Sequence, residues 1–373
     1  MNFNNIITLS SVALYPLNAT GGVSPNMALG QMPVRPALLL KLVDKDGCFG
    51  WGEIWSNFPP RANLHKAHLM EDVVNKHLMD VSFAAPFELI ETLRKRLSVY
   101  FLHIGQREVF EHILAGIDTA AWDLALRKAG TNFSDFMGIS PKAQCYASSL
   151  NSGDLANRLH VHADLGQTEF KLKIGFESQD DIEFVADAAS RLPDNSHLMI
   201  DSNQSWDMSS ATNVLRRLEE FDLLFAEEPI RADCSAKEWE RLAKTTSIAL
   251  AAGENIYGVA RFLEMAEAGV KYLQPDVAKW GGVSGALALA DKMPDSCRLW
   301  PHFMGSAIGQ QASLAISAAI GDGSKCEMDV NENALRSQLC ADALTIENGC
   351  VGLSDAPGLL TPPSEEALTL YRA

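Results

Sequence analysis

From about residue 143 to residue 329 one rhythm repeats. Eight short apolar runs, QCYASSL, EFKLKIG, HLMIDSN, LLFAEEP, IALAAGEN, VKYLQPD, RLWPH and KCEMD, alternate with stretches of helical pattern. A spacing of roughly 25 residues per unit is that of parallel β–α units, which form either a doubly wound sheet or a (β/α)8-type barrel. Eight evenly spaced units favour the barrel. The runs also share a second property, in that charged groups gather where each one ends: Lys171 and Lys173, Asp201 and Asn203, Glu227 and Glu228, Glu254, Asp276, His302 and Glu327. In a parallel barrel those ends lie on one face, where active sites of this architecture are built.

Ahead of the repeat the chain reads as α+β. PALLLKLVDKDGCFGWGEI offers two strands around a DKDG turn, a hairpin signal. Irregular segments flank it: YPLNATGGVSPNMALGQMP, read as a mobile loop, and WSNFPPRAN. Helical patterns follow over residues 63–98 and over EVFEHILAGIDTAAWDLALRKAG. In the latter, Ile113, Ile117, Ala120 and Leu124 share a face, and Gly130 suits a C-terminal stop. The Pro-rich tail VGLSDAPGLLTPPSEEALTLYRA loses the repeat and is expected to pack back on the N-terminal part.

Charge and cysteine usage narrow the class. A net charge of −16 argues against nucleic acid or an anionic membrane as partner, but a local group of lysines can still hold an anionic substrate. Seven scattered cysteines without a C-x-x-C pair read as reduced thiols. The start lacks a basic segment before its apolar residues, and no apolar run approaches ~18 positions, so a soluble cytoplasmic protein is expected.

The strand-end residues suggest chemistry. Asp201, Glu227 and Glu254 close three consecutive strands. Each alone could cap the following helix. Together they repel one another unless a cation lies between them, and all-oxygen donors favour Mg²⁺ over zinc. In FKLKIG, alternation sends Lys171 and Lys173 to one face, beside the proposed cation. There the charged form of a lysine is expected to be disfavoured, which suits a general base. Asp276 and His302, on the next two strands, suit a carboxylate–imidazole dyad. His160 and His162 of the HVH segment fall on a helix and read as solvated surface. Lys279 reads as lying past the strand end, either structural or supporting a residue of the site.

DSNQSW, FAEEP, AAGEN, QPDVAKWGG and the PH before a glycine-bearing turn, with FKLKIG ahead of them, resemble the enolase superfamily, in its mandelate racemase-like branch. GWGEI and AGIDTAAWDLALRKAG are similar to that family's N-terminal part. The resemblance implies an α+β capping domain (1–125, completed by 341–373) over a (β/α)7β, TIM-like barrel (126–340). It implies Mg²⁺ held by Asp201, Glu227 and Glu254, with Glu228 the less favoured acid of its pair. Lys173 would be the base on one face of the substrate, and Lys171 would neutralise the substrate carboxylate. His302 and Asp276 would serve the opposite face, Glu327 would hydrogen-bond the carboxylate or enolate, and Asn203 would line the site near the metal.

Asp at 276, where the cycloisomerase branch would place a second lysine, selects the racemase-like arrangement. The implied chemistry is removal of the proton α to a carboxylate, as in the acid-sugar dehydratases. Dehydration of a sugar acid is the first expectation and racemisation of a 2-hydroxy acid or amino-acid derivative the second, with a non-catalytic relative a distant third. The implied partners are a small carboxylate and further copies of the chain, as dimer or octamer. The loops near 15–33 and 55–62 would cover the mouth, and Trp51, Trp55, Trp280 and Met304 are candidates for specificity.

Overall fold

The structure is a computed structural model that describes residues 3, 6–20, 26–27, 30–31, 33–176, 178–321 and 323–373. Its N-terminal part is a four-stranded antiparallel sheet with helices against it. The strands are β1 (Ile7–Thr20), β2 (Val34–Asp44), β3 (Phe49–Ile54) and β4 (Ser82–Phe83), in the order β3-β2-β1-β4. The hairpin expected from PALLLKLVDKDGCFGWGEI is β2–β3, with Val43 opposite Phe49. Asp44 closes its turn by accepting the N–H groups of Asp46 and Cys48, each at 2.9 Å.

Two N-terminal expectations need correction. The segment read as a loop from Tyr15 begins as strand: Tyr15–Thr20 pair with Val34–Leu39. Pro16 is tolerated there because β1 pairs with β4 only at Ile7 and Thr8, so its missing N–H costs no bond on that edge. Most of the remainder of that expected loop lies outside the described residues. The helical pattern over 63–98 is two helices, α1 (Ala62–Leu69), continued by tighter and wider turns to His77, and α2 (Pro86–His103). Pro86 opens α2 at its first turn, where a missing N–H is harmless.

Helix α3 (Arg107–Ala129) joins the two parts of the molecule. Ile113, Ile117, Ala120 and Leu124 are all buried, and Gly130 ends the helix in the left-handed conformation, φ +67°. Strand β3 lies directly on it through the glycines of GWG. A Cβ on Gly50 or Gly52 would meet the Ala120 or Gly116 carbonyl oxygen at 2.1 Å, so only glycine permits this approach.

All eight expected runs are strands. β5 (Lys142–Leu150), β6 (Glu169–Lys173), β7 (His197–Asp201), β8 (Ala226–Glu227), β9 (Leu250–Ala252), β10 (Val270–Leu273) and β11 (Arg298–Leu299) pair in parallel, in chain order. β12 (Cys326–Asp329) pairs in parallel with β5. The two ends of the run approach through one backbone bond, Glu327 N–H to Pro301 C=O at 3.1 Å. Alternation sorts the side chains by face. Phe170, Leu172 and Ile174 of β6 belong to the main core, whereas Tyr146, Met199, Phe225, Ala251 and Trp300 form a separate apolar cluster. The tail does two things: Cys350–Gly352 adds antiparallel to β5, and Asn18 of β1 donates to the Tyr371 carbonyl at 2.7 Å. Among the described residues, no helix is long and apolar enough to cross a membrane.

Candidate active site

Strand register places the charged groups. Lys173, Asp201 and Glu227 stand at matched positions on β6, β7 and β8. Lys171, fully buried, donates to Glu227 Oε2 at 2.6 Å and pairs with Glu327 Oε1 at 2.8 Å. Lys173 donates to Asp201 Oδ2 and reaches Asn203 Oδ1 at 3.4 Å. Asn203 returns its backbone N–H to Asp201 Oδ1 at 2.8 Å. Lys171 and Lys173 therefore point inward, and both are engaged by acids on neighbouring strands.

The acids, not burial, set the direction of the lysines' proton affinity. Burial favours the neutral amine for both lysines, but the acids around them outweigh it. Glu227 and Glu327 hold Lys171 well above the usual lysine value, and Asp201 holds Lys173 above it. Both are shifted toward the ammonium form, because each faces more carboxylate than ammonium. The acids bear the opposite strain. Glu227 is pushed up to about 7 by burial and then by the Asp201 charge, and Glu228 is raised well above its usual range by burial and Glu254. Glu228 turns to Asn255, whose amide lies 3.0 Å from each of its oxygens.

Asp276 and His302 lie just past the ends of β10 and β11, where they form an isolated parallel bridge. His302 Nδ1 is 3.0 Å from Asp276 Oδ2, and the other Asp276 oxygen accepts the N–H groups of Ala278 and Lys279. The Nε2 edge of His302 faces Glu327 Oε2 at 3.5 Å and Glu254 Oε2 at 3.6 Å. Burial works against charging the imidazole. Glu254, Glu327 and the Asp276 bond win, and the pKa rises to about 9. The shift favours the imidazolium, the form in which both ring nitrogens donate.

These groups open onto one cavity, lined by Lys173, Asn203, Glu254, Lys279, His302 and, from the N-terminal part, Trp55, with Asn57, Phe58 and Met304 beside them. The WSNFPP loop is held against the barrel: Trp55 N–H donates to the Ala278 carbonyl at 3.3 Å, and the Asn57 amide donates to the Met304 carbonyl. Trp55 and Met304 therefore reach the cavity. Trp51 does not, being packed on Tyr15 with its N–H on Asp123, and Trp280 stacks on Phe262. Lys279 is past the strand end, as expected, and it supports a site residue directly. Its ammonium donates to Glu254 Oε2 and to Asn255 Oδ1, both at 2.9 Å, and holds Glu254 below the usual carboxylate range despite burial. Of the HVH pair, His160 is exposed beside Asp164, whereas His162 is half-buried and bonded to Gln167.

The donor set suits a hard divalent cation. Glu227 Oε1 and Glu327 Oε2 are buried without a hydrogen-bond partner, which costs free energy unless something electropositive meets them. One oxygen each of Glu227 and Glu254 and one nitrogen of His302 lie within 4.8 Å of one another. His302 is engaged by Asp276 on one nitrogen and faces two carboxylates with the other, so Asp201, a hard oxygen donor at the same level as Glu227, is the better third ligand. Sequence reasoning missed three contributors: Gln274, which donates to Glu227 Oε2 at 2.7 Å, Ser148, which donates to Glu327, and Asn255. Gln274 and Asn255 each stand two residues or fewer from a recognised acid, a signal that could have found them. Nothing local marks Ser148.

Two family profiles match the chain, "Mandelate racemase / muconate lactonizing enzyme, N-terminal domain" over residues 19–138 and "Enolase C-terminal domain-like" over 154–367. The chain belongs to the mandelate racemase branch of the enolase superfamily. Its similarity to the solved structure of a mandelate racemase/muconate lactonizing enzyme from Bordetella bronchiseptica is 36% in sequence, with TM-score 0.89 over 98% of this chain and 99% of that one. Among curated enolase-superfamily relatives, an arabinonate dehydratase of Saccharolobus solfataricus is 27% identical, over 84% of each chain. A D-galactarolactone cycloisomerase of Agrobacterium fabrum is 26% identical over 91% of this chain and 92% of its own. The superfamily match implies an N-terminal cap on a TIM-type barrel and an enzymatic activity; the relatives divide between lyases and isomerases.

Proposed function

We propose that this protein removes the proton α to the carboxylate of a sugar acid and expels the β-hydroxyl as water, leaving a 2-keto-3-deoxy acid. The observation that carries this reading is the placement of His302. Its imidazole is oriented by Asp276, 3.0 Å from Nδ1, and lines the same cavity as Lys173, where it can donate a proton to a departing hydroxyl. The acid-sugar dehydratases among the relatives support the same choice.

Each residue then has a task. Asp201, Glu227 and Glu254 would hold Mg²⁺. When bound, the ion would take up the charge of Asp201 that now draws Lys173 toward its ammonium form, and would lower the energy of the enediolate. Lys173 removes the α-proton, His302 returns one to the leaving oxygen, and Lys171 with Glu327 fixes the carboxylate end, Asn203 completing the wall. Racemisation of a 2-hydroxy acid or amino-acid derivative is the second reading, because Lys173 and His302 face one cavity and could exchange protons on either side of a carbon. We place these residues in a closed (β/α)7β barrel spanning about 126–340, capped by 1–125 with 341–373, in a cytoplasmic homo-oligomer.

A screen of sugar acids with Mg²⁺, run in parallel in D₂O, tests the reading. Keto-acid formation that stops on chelation and resumes with Mg²⁺ is expected. Deuterium at C2 with inverted configuration and no keto acid would replace dehydration by racemisation.

A further inference from the structure

Behind the cavity lies a buried polar group that the proposed chemistry does not use. Lys66 of α1 is only 3% exposed. Its ammonium donates to the Trp55 carbonyl oxygen and lies 2.9 Å from His112 Nδ1 on α3. His112 Nε2 is 3.0 Å from the Tyr257 hydroxyl, on the barrel segment that follows Glu254. The Trp55 ring sits among these groups. Lys66 Nζ is 4.7 Å from its centroid, Lys279 Nζ 4.6 Å, and the His112 ring 5.1 Å. Phe58 meets the indole edge to face at 4.9 Å.

Donor rules orient the chain. An ammonium only donates, so His112 Nδ1 accepts and its Nε2 carries the hydrogen toward Tyr257. That requires a neutral His112, and burial, with Lys66 and Lys279 nearby, holds it well below the usual histidine value. Elements from the cap and from the barrel thus meet at one indole, and that indole forms part of the wall of the cavity that Lys173 and His302 also line.

We propose that Lys66 is a positioning residue: through the relay Trp55–Lys66–His112–Tyr257 it holds the Trp55 wall of the substrate cavity, and it holds that wall more firmly as an ammonium than as an amine. The pH range follows from the surroundings. Burial, then the Lys279 charge, push Lys66 down to about 7, while Asp276 pulls the other way. The other charged groups near the relay are Glu108 and Glu254, which act on Tyr257. Loss of the proton removes the cation from the indole face and turns two charge-assisted hydrogen bonds into neutral ones, so the wall loosens as pH rises through neutrality.

The test needs no substrate at first. Near-ultraviolet circular dichroism of the wild-type protein is expected to show an indole transition with a midpoint near pH 7, consistent with the buried lysine. The transition should vanish in Lys66→Met and in Trp55→Phe. Its persistence in Lys66→Met, or its absence from the wild type, would overturn the proposal. Should Lys66→Met not fold, Tyr257→Phe decides, since loss of the far end of the relay must move the midpoint. An unmoved midpoint there counts against it. The kinetic arm rests on the proposed function. With a sugar acid that is turned over, Lys66→Met is expected to raise KM about tenfold, leave kcat within about twofold, and abolish the rise of KM above neutrality. An equal fall in kcat would show that Lys66 acts on the chemistry and not on the wall. If no sugar acid reacts, the function fails while the optical titration still judges the relay.

Discussion

The junction between cap and barrel and the mouth of the barrel both bury carboxylates, and they treat them differently. At the junction, Glu53 accepts Ser306 N–H at 3.0 Å, Ser306 Oγ–H at 2.6 Å and Gly309 N–H at 2.9 Å, at the start of the helix Ala307–Ile320. Asp123 accepts Trp51 N–H, Leu359 N–H and Leu360 N–H, with Arg127 beside it. Every oxygen meets a donor that the backbone or a short side chain holds in place. At the mouth, the acids meet lysines on flexible stems and one another, and Glu227 and Glu327 each keep an oxygen that no hydrogen bond fills, that of Glu327 standing 3.5 Å from His302 Nε2. Burial alone does not distinguish a structural acid from a functional one. The distinction lies in whether its lone pairs are filled by rigid donors, as in a cap, or left for a ligand to fill.

Matched substitutions can break that contrast. Glu227→Gln should cost the largest effect, a fall in kcat of about 10³-fold or more, since it weakens cation binding and the hold on Lys171, with a melting temperature unchanged or raised. If the variant instead unfolds while the folded fraction stays active, Glu227 is structural and the contrast collapses.

A pH titration of stability sharpens the comparison next. The folded pKa of His302, about 9, lies above the ordinary histidine value. Its contribution is therefore fully present below about pH 6.5 and lost as pH rises from there through about 9, on the order of 3 kcal/mol in all. Denaturant titrations of the chelated protein across that range should show this slope, and His302→Asn should remove it; a slope retained by the variant assigns the effect elsewhere.

The smallest effect is expected at the junction. Glu53→Gln keeps the shape but trades charge-assisted bonds for neutral ones and turns an NH₂ toward donors, costing about 2 kcal/mol, which thermal unfolding would read as a drop of several degrees. Its kcat should stay within a few fold of wild type. A thousandfold loss of kcat with full stability would mean the junction acid serves the chemistry.

How much of this was legible beforehand differs by region. The strand-end groups could be read because β-strands are local objects. A period-2 run shows which residues share a face, and regular spacing brings all the ends to one side. Asp201, Glu227, Glu254, Asp276, His302 and Glu327 stand where that logic sends them. Tyr15–Thr20 was misread because Pro16, Gly21 and Gly22 look like punctuation, and the strand runs through the proline because the tail on that edge uses the Pro16 carbonyl, which accepts Ala373 N–H at 2.9 Å, and asks for no N–H from it. Ser148, Lys66 and Glu53 were invisible for another reason. Their partners lie 179, 46 and 253 residues away, respectively, and no local pattern records such a meeting.

By itself, then, the sequence determined the parallel repeat, the face that bears the chemistry and the family to which the chain belongs, since each follows from periodicity or from motifs a few residues long. Tertiary structure alone decided the direction in which proton affinities move. Lys173 and His302 are both pushed toward their charged forms because acids from other strands outweigh the burial that works against charge. It also decided that Trp55, and not Trp51 four residues earlier, faces the cavity. Proton affinities and walls are sums over everything within a few ångströms, and that neighbourhood exists only once the chain has folded.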